Sequence, residues 1–356
     1  MAQFMVKKNI RTLTLDQITS LFKELNEPAF RAKQLYDWLW NKRAIHFDEM
    51  TNFSIELREK LKTSFEIHAV EIHDLQISND KTIKCAMKLH DNFVVESVLI
   101  PQGDRMTACI SSQVGCSLTC KFCATAKLKR MRNLTADEIY DQVVLVKNTA
   151  FEKYGNTLSN IVYMGMGEPL LNYQEMMLSI DRITNPKGLG MSPKRITVST
   201  AGVAKMIKKL GDDGVKFNLA LSLHAANDEK RNHLMPINET NSLNNLEEAL
   251  NYFYEKTGTR CTFEYIVFKD FNDSTKDALE LVAFSKKVKG KVNIIEYNPI
   301  DGGEFKQTTP ERLDNFVGVL ETNGIIVNVR RSRGKDIDAA CGQLANKNKL
   351  AVIEYK

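Results

Sequence analysis

Three cysteines in the run GCSLTCKFCATA, Cys116, Cys120 and Cys123, are spaced C-x-x-x-C-x-x-C. Three thiolates on one tight loop suit an iron–sulfur cluster better than structural zinc, which closes its shell with four ligands. A [4Fe-4S] cluster held by three cysteines keeps one iron open to a small molecule. The plain alternatives are zinc or three unrelated core cysteines. Two further cysteines stand apart, Cys109 in CISSQVGC and Cys341 in DIDAACGQLA, and Glu96 lies in VVESVLIP. Glu96 shares a strand face with Val94 and Val98, so it is either a buried carboxylate able to act as a base or an exposed residue on an edge strand. Cys85 and Cys261 fall in strand-like runs and read as small core residues, as Cys109 could also be.

The elements that must position these residues follow from periodicity. The first 65 or so residues read as helices. Thr14 and Gln17 have the spacing of a capping box, after which Ile18, Leu21, Phe22 and Leu25 share one face. A second helix is predicted from Pro28 and a third over Ser54 to Thr63. From Glu66 to Pro101 alternation and β-branched residues predict a hairpin or meander, turning at Asp91-Asn92. Beyond it six short apolar strands, TACISS, NIVYMGM, RITVST, FNLALSLH, TFEYIVF and VNIIEYN, alternate with helical stretches. Six such units imply a parallel sheet with helices outside it, either an incomplete (β/α) barrel or a doubly wound sheet. Polar residues gather at the carboxyl ends of these strands: Gly167 and Glu168, Ser199, Ser222 and His224, and Asn298. Ligands of parallel α/β proteins sit at that face.

A chain of 356 residues with 43% hydrophobic and 26% charged residues is neither disordered nor collagen-like. The first residues, MAQFMVKKNIRTLTLDQ, carry two lysines without an apolar stretch, and no later run is long enough to span a bilayer. The expectation is a cytoplasmic protein whose seven cysteines stay reduced. A net charge of +5 permits a polyanionic partner without demanding one. Lys127, Lys129, Arg130 and Arg132 follow the cysteine cluster, and Arg330, Arg331, Arg333 and Lys335 precede the last cysteine. Charge alone leaves these as solvated loops or as an RNA surface.

The cysteine spacing, with Phe122 before the last cysteine, resembles the signature of the radical S-adenosylmethionine superfamily. YMGMGEP resembles the glycine-rich strand end that superfamily members set against the cofactor's amino group, where Glu168 can accept a hydrogen bond from the ammonium. With Cys109, Cys341 and Glu96 in their contexts, and with NEPAFRAKQLYDWLW, SLHAANDEKRNHLMPIN and CGQLA, nearly the whole chain resembles the RlmN and Cfr family of RNA adenine methyltransferases.

The resemblance implies an α/β fold: a partial (β/α)6 radical-SAM barrel over 102–345, behind a helical RNA-binding accessory domain at 1–65 and a β-hairpin linker at 66–101 carrying Glu96, with a basic, frayed tail at 346–356. It implies a [4Fe-4S] cluster on Cys116, Cys120 and Cys123, and two molecules of S-adenosylmethionine per turnover, contacted by Gly167, Glu168, Ser199, Ser222, Leu223, His224 and Asn298. The first would methylate Cys341; the second, cleaved at the cluster to a 5′-deoxyadenosyl radical, would remove hydrogen from that S-methyl group. The carbon radical adds to C2 of an adenine, Glu96 takes the C2 proton, and Cys109 attacks the sulfur of Cys341, leaving a transient disulfide. The implied partners are 23S ribosomal RNA, transfer RNA and a low-potential electron donor such as flavodoxin, with a monomeric chain. A Cfr-type enzyme would methylate C8 of the same adenine. A noncatalytic metal-containing RNA-binding protein would have no use for Cys109 and Cys341.

Overall fold

The computed structural model describes residues 7–346. The chain begins with helices α1 (Leu15–Glu24), α2 (Phe30–Trp40) and α3 (Ile55–Ser64). Thr14 and Gln17 form the expected capping box, Ser54 caps α3, and Ile18 and Phe22 are buried. A short parallel pairing of Lys8–Asn9 with Phe65–Glu66 joins the two ends of this helical unit.

The unit is fixed to the rest of the molecule through one long helix, α4 (Ala136–Tyr154). The Arg11 guanidinium donates to both oxygens of Asp141 at 2.8 Å, and Asn9 donates to Asp137 at 2.9 Å. The Tyr140 hydroxyl donates to the Trp40 carbonyl at 3.0 Å, with the two rings edge to face. A bidentate, buried arginine–carboxylate pair holds orientation as well as position.

The central sheet has ten strands paired in chain order. They are β1 (Glu71–Ile77), β2 (Ile83–Lys88), β3 (Val94–Gln102), β4 (Arg105–Cys109), β5 (Asn160–Tyr163), β6 (Ile196–Thr200), β7 (Asn218–Ser222), β8 (Thr262–Val267), β9 (Lys291–Glu296) and β10 (Val327–Arg330). The first four are antiparallel neighbours, and β4 through β10 are parallel. Helices α5 (Tyr173–Thr184), α6 (Ala204–Asp212), α7 (Asp228–Leu234), α8 (Leu243–Thr257), α9 (Thr275–Val288) and α10 (Pro310–Thr322) lie in the crossovers after α4.

All six expected strand–helix units are present. The sheet differs from expectation at both edges. Of the two forms expected for the linker, hairpin or meander, it is a three-stranded meander, and it is continuous with the barrel sheet; β10 adds a seventh parallel strand. The outermost strands, β1 and β10, have incompletely buried side chains, so neither carries the apolar run that marks a central strand.

β1 and β10 do not pair with each other, and a polar clasp spans the opening between them. Ser78 and the backbone of Asn79 donate to Asp336, and the Gly334 amide donates to Asp80 at 2.9 Å. A second, smaller apolar cluster, including Phe122, Leu234, Phe268 and Tyr297, packs around the cysteine loop at the strand ends. Among the described residues no helix is long and apolar enough to cross a membrane.

Candidate active site

β4 delivers Cys109 to the carboxyl edge of the sheet, and the chain then runs directly into the three-cysteine loop. Backbone hydrogen bonds sew this loop to the end of β5: the Ile110 amide donates to Val162, Gly165 to Ile110, and Ser112 to Met166. Gly115 adopts φ +73, and a Cβ there would lie 2.3 Å from the Lys129 carbonyl oxygen, so only glycine lets the returning strand approach Cys116. The three thiols are partly buried. Burial pushes Cys116 up to about 11 and Cys120 well above the ordinary thiol value, and Cys120 feels the charges of both Cys123 and Cys116.

Among the described residues no three His, Cys, Asp or Glu side chains converge tightly enough for a single metal ion. Three thiols on one loop within electrostatic reach of one another could hold an iron–sulfur cluster. The raised values of Cys116 and Cys120 mean that metal loading must displace protons there.

Opposite this loop lies the GMGEP strand end. Gly167 adopts φ +95, and a Cβ would fall 2.5 Å from that of Gln113, whose side chain accepts from the Glu168 amide at 2.9 Å. Glu168 is buried, and desolvation lifts its carboxyl to about 7 despite hydrogen bonds from the amides of Ala201 (2.7 Å) and Leu170 (3.0 Å). Each carboxylate oxygen thus already accepts a backbone N–H, which fastens one strand end to the next. Ser199 and Ser222 meet at 3.4 Å across β6 and β7. The buried Leu223 contributes its backbone to the site, through a carbonyl that accepts from Arg231.

His224 is buried at φ +54, with its ring edge-on to Phe122. Its Nδ1 accepts from the Ile266 amide at 3.1 Å, which leaves the proton of the neutral ring on Nε2. Burial and the nearby Arg231 push it down to about 3. Asn298 donates to the Cys341 carbonyl at 3.4 Å, and its Oδ1 is buried without a hydrogen-bond partner.

The segment carrying Cys341 closes over the cysteine loop. The Ala124 amide donates to Gly342 at 2.7 Å, and the Thr125 hydroxyl to Leu344 at 2.6 Å. Cys341 is reachable by solvent at the barrel mouth, yet protein surrounds its thiol on the other sides, and that desolvation raises it. Burial pushes Cys109 up to about 12, with the charge of Cys341 adding to the shift. The two thiols are therefore electrostatic neighbours, and all seven cysteines are free thiols in this structure.

Glu96 is fully buried on β3, and its Oε2 accepts from the amides of Ala345 and Asn346 at 2.9 and 3.1 Å. The tail expected to fray from about this point is pinned through Asn346; residues 347–356 lie outside the described residues.

Three residues of the site escaped the sequence reading. Arg231, wholly buried, donates to Leu223, Asn238, Ala201 and Ser222. Glu264 accepts from Asn293 and Arg330 inside the barrel, where burial raises it. Lys84 pairs with Glu96 at 3.4 Å. A charge inside the otherwise apolar run TFEYIVF was a visible signal for Glu264; the others had none. The basic clusters are also less free than their charge suggested. Arg132 forks onto Glu138 and Asp91, Lys127 reaches the Asp301 carbonyl, Lys335 pairs with Glu296, and Arg330 turns inward.

An open α/β barrel whose first parallel strand leads into a three-cysteine loop, set against a glycine-rich strand end, defines a radical S-adenosylmethionine protein. Residues 110–282 match the Radical SAM superfamily, and residues 8–67 match the ribosomal RNA large subunit methyltransferase N-terminal domain. The chain is 59% identical over 342 residues to the "Probable dual-specificity RNA methyltransferase RlmN" of Christiangramia forsetii, covering 96% of this chain and 97% of that one. It is 59% identical over 341 residues to the protein so named from Cytophaga hutchinsonii, covering 96% and 93%. A solved radical SAM methyltransferase from Sphaerobacter thermophilus matches with a TM-score of 0.88 at 37% identity, covering 95% and 99%. The chain belongs to the RlmN family of radical S-adenosylmethionine methyltransferases. Membership implies a [4Fe-4S] cluster and S-adenosylmethionine.

Proposed function

We propose that this chain methylates C2 of adenine in RNA: adenine 2503 of 23S ribosomal RNA and an anticodon-loop adenine of transfer RNAs. The dual-specificity name of its relatives supports two RNA classes. What supports the reading is that Cys109 and Cys341 are electrostatic neighbours and that the buried Glu96 holds the backbone four and five residues after Cys341, from three distant parts of the chain. Adenine C2, between two ring nitrogens, is too electron-poor to attack an electrophilic methyl group. When bound, the cluster on Cys116, Cys120 and Cys123 supplies the electron that cleaves S-adenosylmethionine.

Gly167, Glu168, Ser199, Ser222, Leu223, His224 and Asn298 hold that molecule at the strand ends. The neutral His224 offers an Nε2–H donor without adding charge. Cys341 receives a methyl group from one S-adenosylmethionine and presents it as S-methylcysteine to the second. Glu96 takes the C2 proton, and Cys109 attacks the sulfur of Cys341 to release the methylated base. The resulting disulfide is a turnover state that a reducing cytoplasm resets. The adenine must swing out of its stack to reach this chamber.

The test separates the remote cysteines. Cys109→Ala, expressed with cellular RNA, accumulates a covalent protein–RNA adduct that survives denaturation; Cys341→Ala gives none. An adduct in Cys341→Ala, or none in a folded, iron-loaded Cys109→Ala, refutes the roles. Mass spectrometry of the digested product tests the position, and a methyl group on C8 would refute C2.

A further inference from the structure

Lys84 and Glu96 stand diagonally across β2 and β3, on the same face, because Ala86 is the direct partner of Glu96 and Val98 that of Lys84. Both side chains are almost wholly buried, and the ammonium lies 3.4 Å from Glu96 Oε1. Burying two charges is costly unless the remaining lone pairs are used. On this carboxylate the division is uneven. Oε2 accepts two backbone amides, whereas Oε1 has no hydrogen-bond partner. The amides belong to Ala345 and Asn346, and the Asn346 side chain donates to the Val94 carbonyl at 2.7 Å on the same strand. The Cys341 segment is therefore fastened at two ends: upstream by the clasp of Asp336 and Gly334 with the Ser78–Asp80 turn, downstream by Glu96.

We propose that Lys84 is a positioning residue: its ammonium on Oε1 orients the Glu96 carboxylate so that Oε2 fastens the Cys341 segment as a latch. The inference deepens the proposed function and rests on its reading of Cys341 and Glu96 as reacting groups. Hydrogen bonds to a carboxylate are strong where the oxygen is well aimed, so the fastening depends on the orientation that Lys84 imposes. Glu96→Gln mimics the protonated acid.

The experiment uses the full, cluster-loaded enzyme. Hydrogen exchange at the Ala345 and Asn346 amides, and the rate of Cys341 alkylation by iodoacetamide, are read by peptide mass spectrometry. Lys84→Met and Glu96→Gln raise exchange at these amides by roughly tenfold or more, as losing a hydrogen bond to a charged group would. Both variants speed alkylation, and Lys84→Arg restores slow exchange. The double variant Lys84→Met/Glu96→Gln carries no buried charge and remains loosened, which keeps the test open if a single variant fails to fold.

Unchanged exchange in a folded Lys84→Met or in the double variant overturns the latch, as does loosening in Lys84→Met that Lys84→Arg does not reverse. The base role is read separately, from the RNA adduct expected to stall in Glu96→Gln. Loosened amides without an adduct remove the base role alone, and an adduct with protected amides removes the latch alone.

Discussion

Arg231→Lys keeps the buried charge but removes the fork that holds the strand ends together. Arg231 donates from three nitrogens to four acceptors: Nε to Leu223, Nη1 to Asn238, and Nη2 to Ala201 and Ser222. Burial lowers it to about 10, so it remains a cation near neutral pH. A lysine brings its donors to a single nitrogen on a flexible stem and can satisfy about two of these acceptors. Each buried acceptor left alone costs about 1–3 kcal/mol, so the expected loss is about 2–6 kcal/mol. That is a large share of the roughly 5–15 kcal/mol by which a typical protein is stable. Urea unfolding followed by circular dichroism measures it, and equilibrium binding of S-adenosylmethionine shows the consequence at Ser222 and Leu223. Arg231→Met additionally removes a charge that favours the Cys120 thiolate, and so loads iron less completely than the lysine variant. A lysine variant within about 1 kcal/mol of the parent would refute the reasoning, because the four acceptors would then not depend on the fork.

Alanine at any one of Cys116, Cys120 or Cys123 abolishes cluster assembly and 5′-deoxyadenosine formation while leaving the circular dichroism spectrum close to that of the parent; full iron content in all three variants would contradict the ligand set. Gly167→Ala forces a side chain into a left-handed φ and to 2.5 Å from Gln113, so S-adenosylmethionine binding falls by at least tenfold, read by equilibrium dialysis. His224 gives a pH signature. Its folded value of about 3 lies below the ordinary 6.5, so its contribution to stability is complete above pH 6.5 and lost as pH falls toward 3. His224→Gln, which cannot titrate, therefore loses stability less steeply over that window, by a few kcal/mol on the order of the shift. Parallel urea midpoints in the two proteins from pH 6.5 to 4 would count against the buried, neutral assignment.

Local chemistry was legible because it needs only neighbours in the chain. The cysteine spacing, the Thr14 capping box and the six strand–helix alternations each depend on residues a few positions apart, where covalent geometry fixes what can meet. Glycine at 167 was visible as a residue type, but the close approach of Gln113 that demands it was not. The edges of the sheet were misjudged for a related reason. An edge strand buries little, and β10 has only four residues, so its sequence carries a weak apolar pattern.

Charge was the least legible property. Runs of lysine and arginine look alike whether they face water or a carboxylate, and only folding decided that Arg132 forks onto Glu138 while Arg330 turns toward Glu264. By itself the sequence determined which residue types could carry a cluster, a methyl group and a proton, and which elements would hold them. Only the tertiary structure decided that Glu96 fastens amides 249 and 250 residues away in the chain, and that Lys84 stands against it. Pairing register between β2 and β3 sets the contact of Lys84 with Glu96, and the path of the chain after Cys341 sets the other two, neither of which any single segment contains.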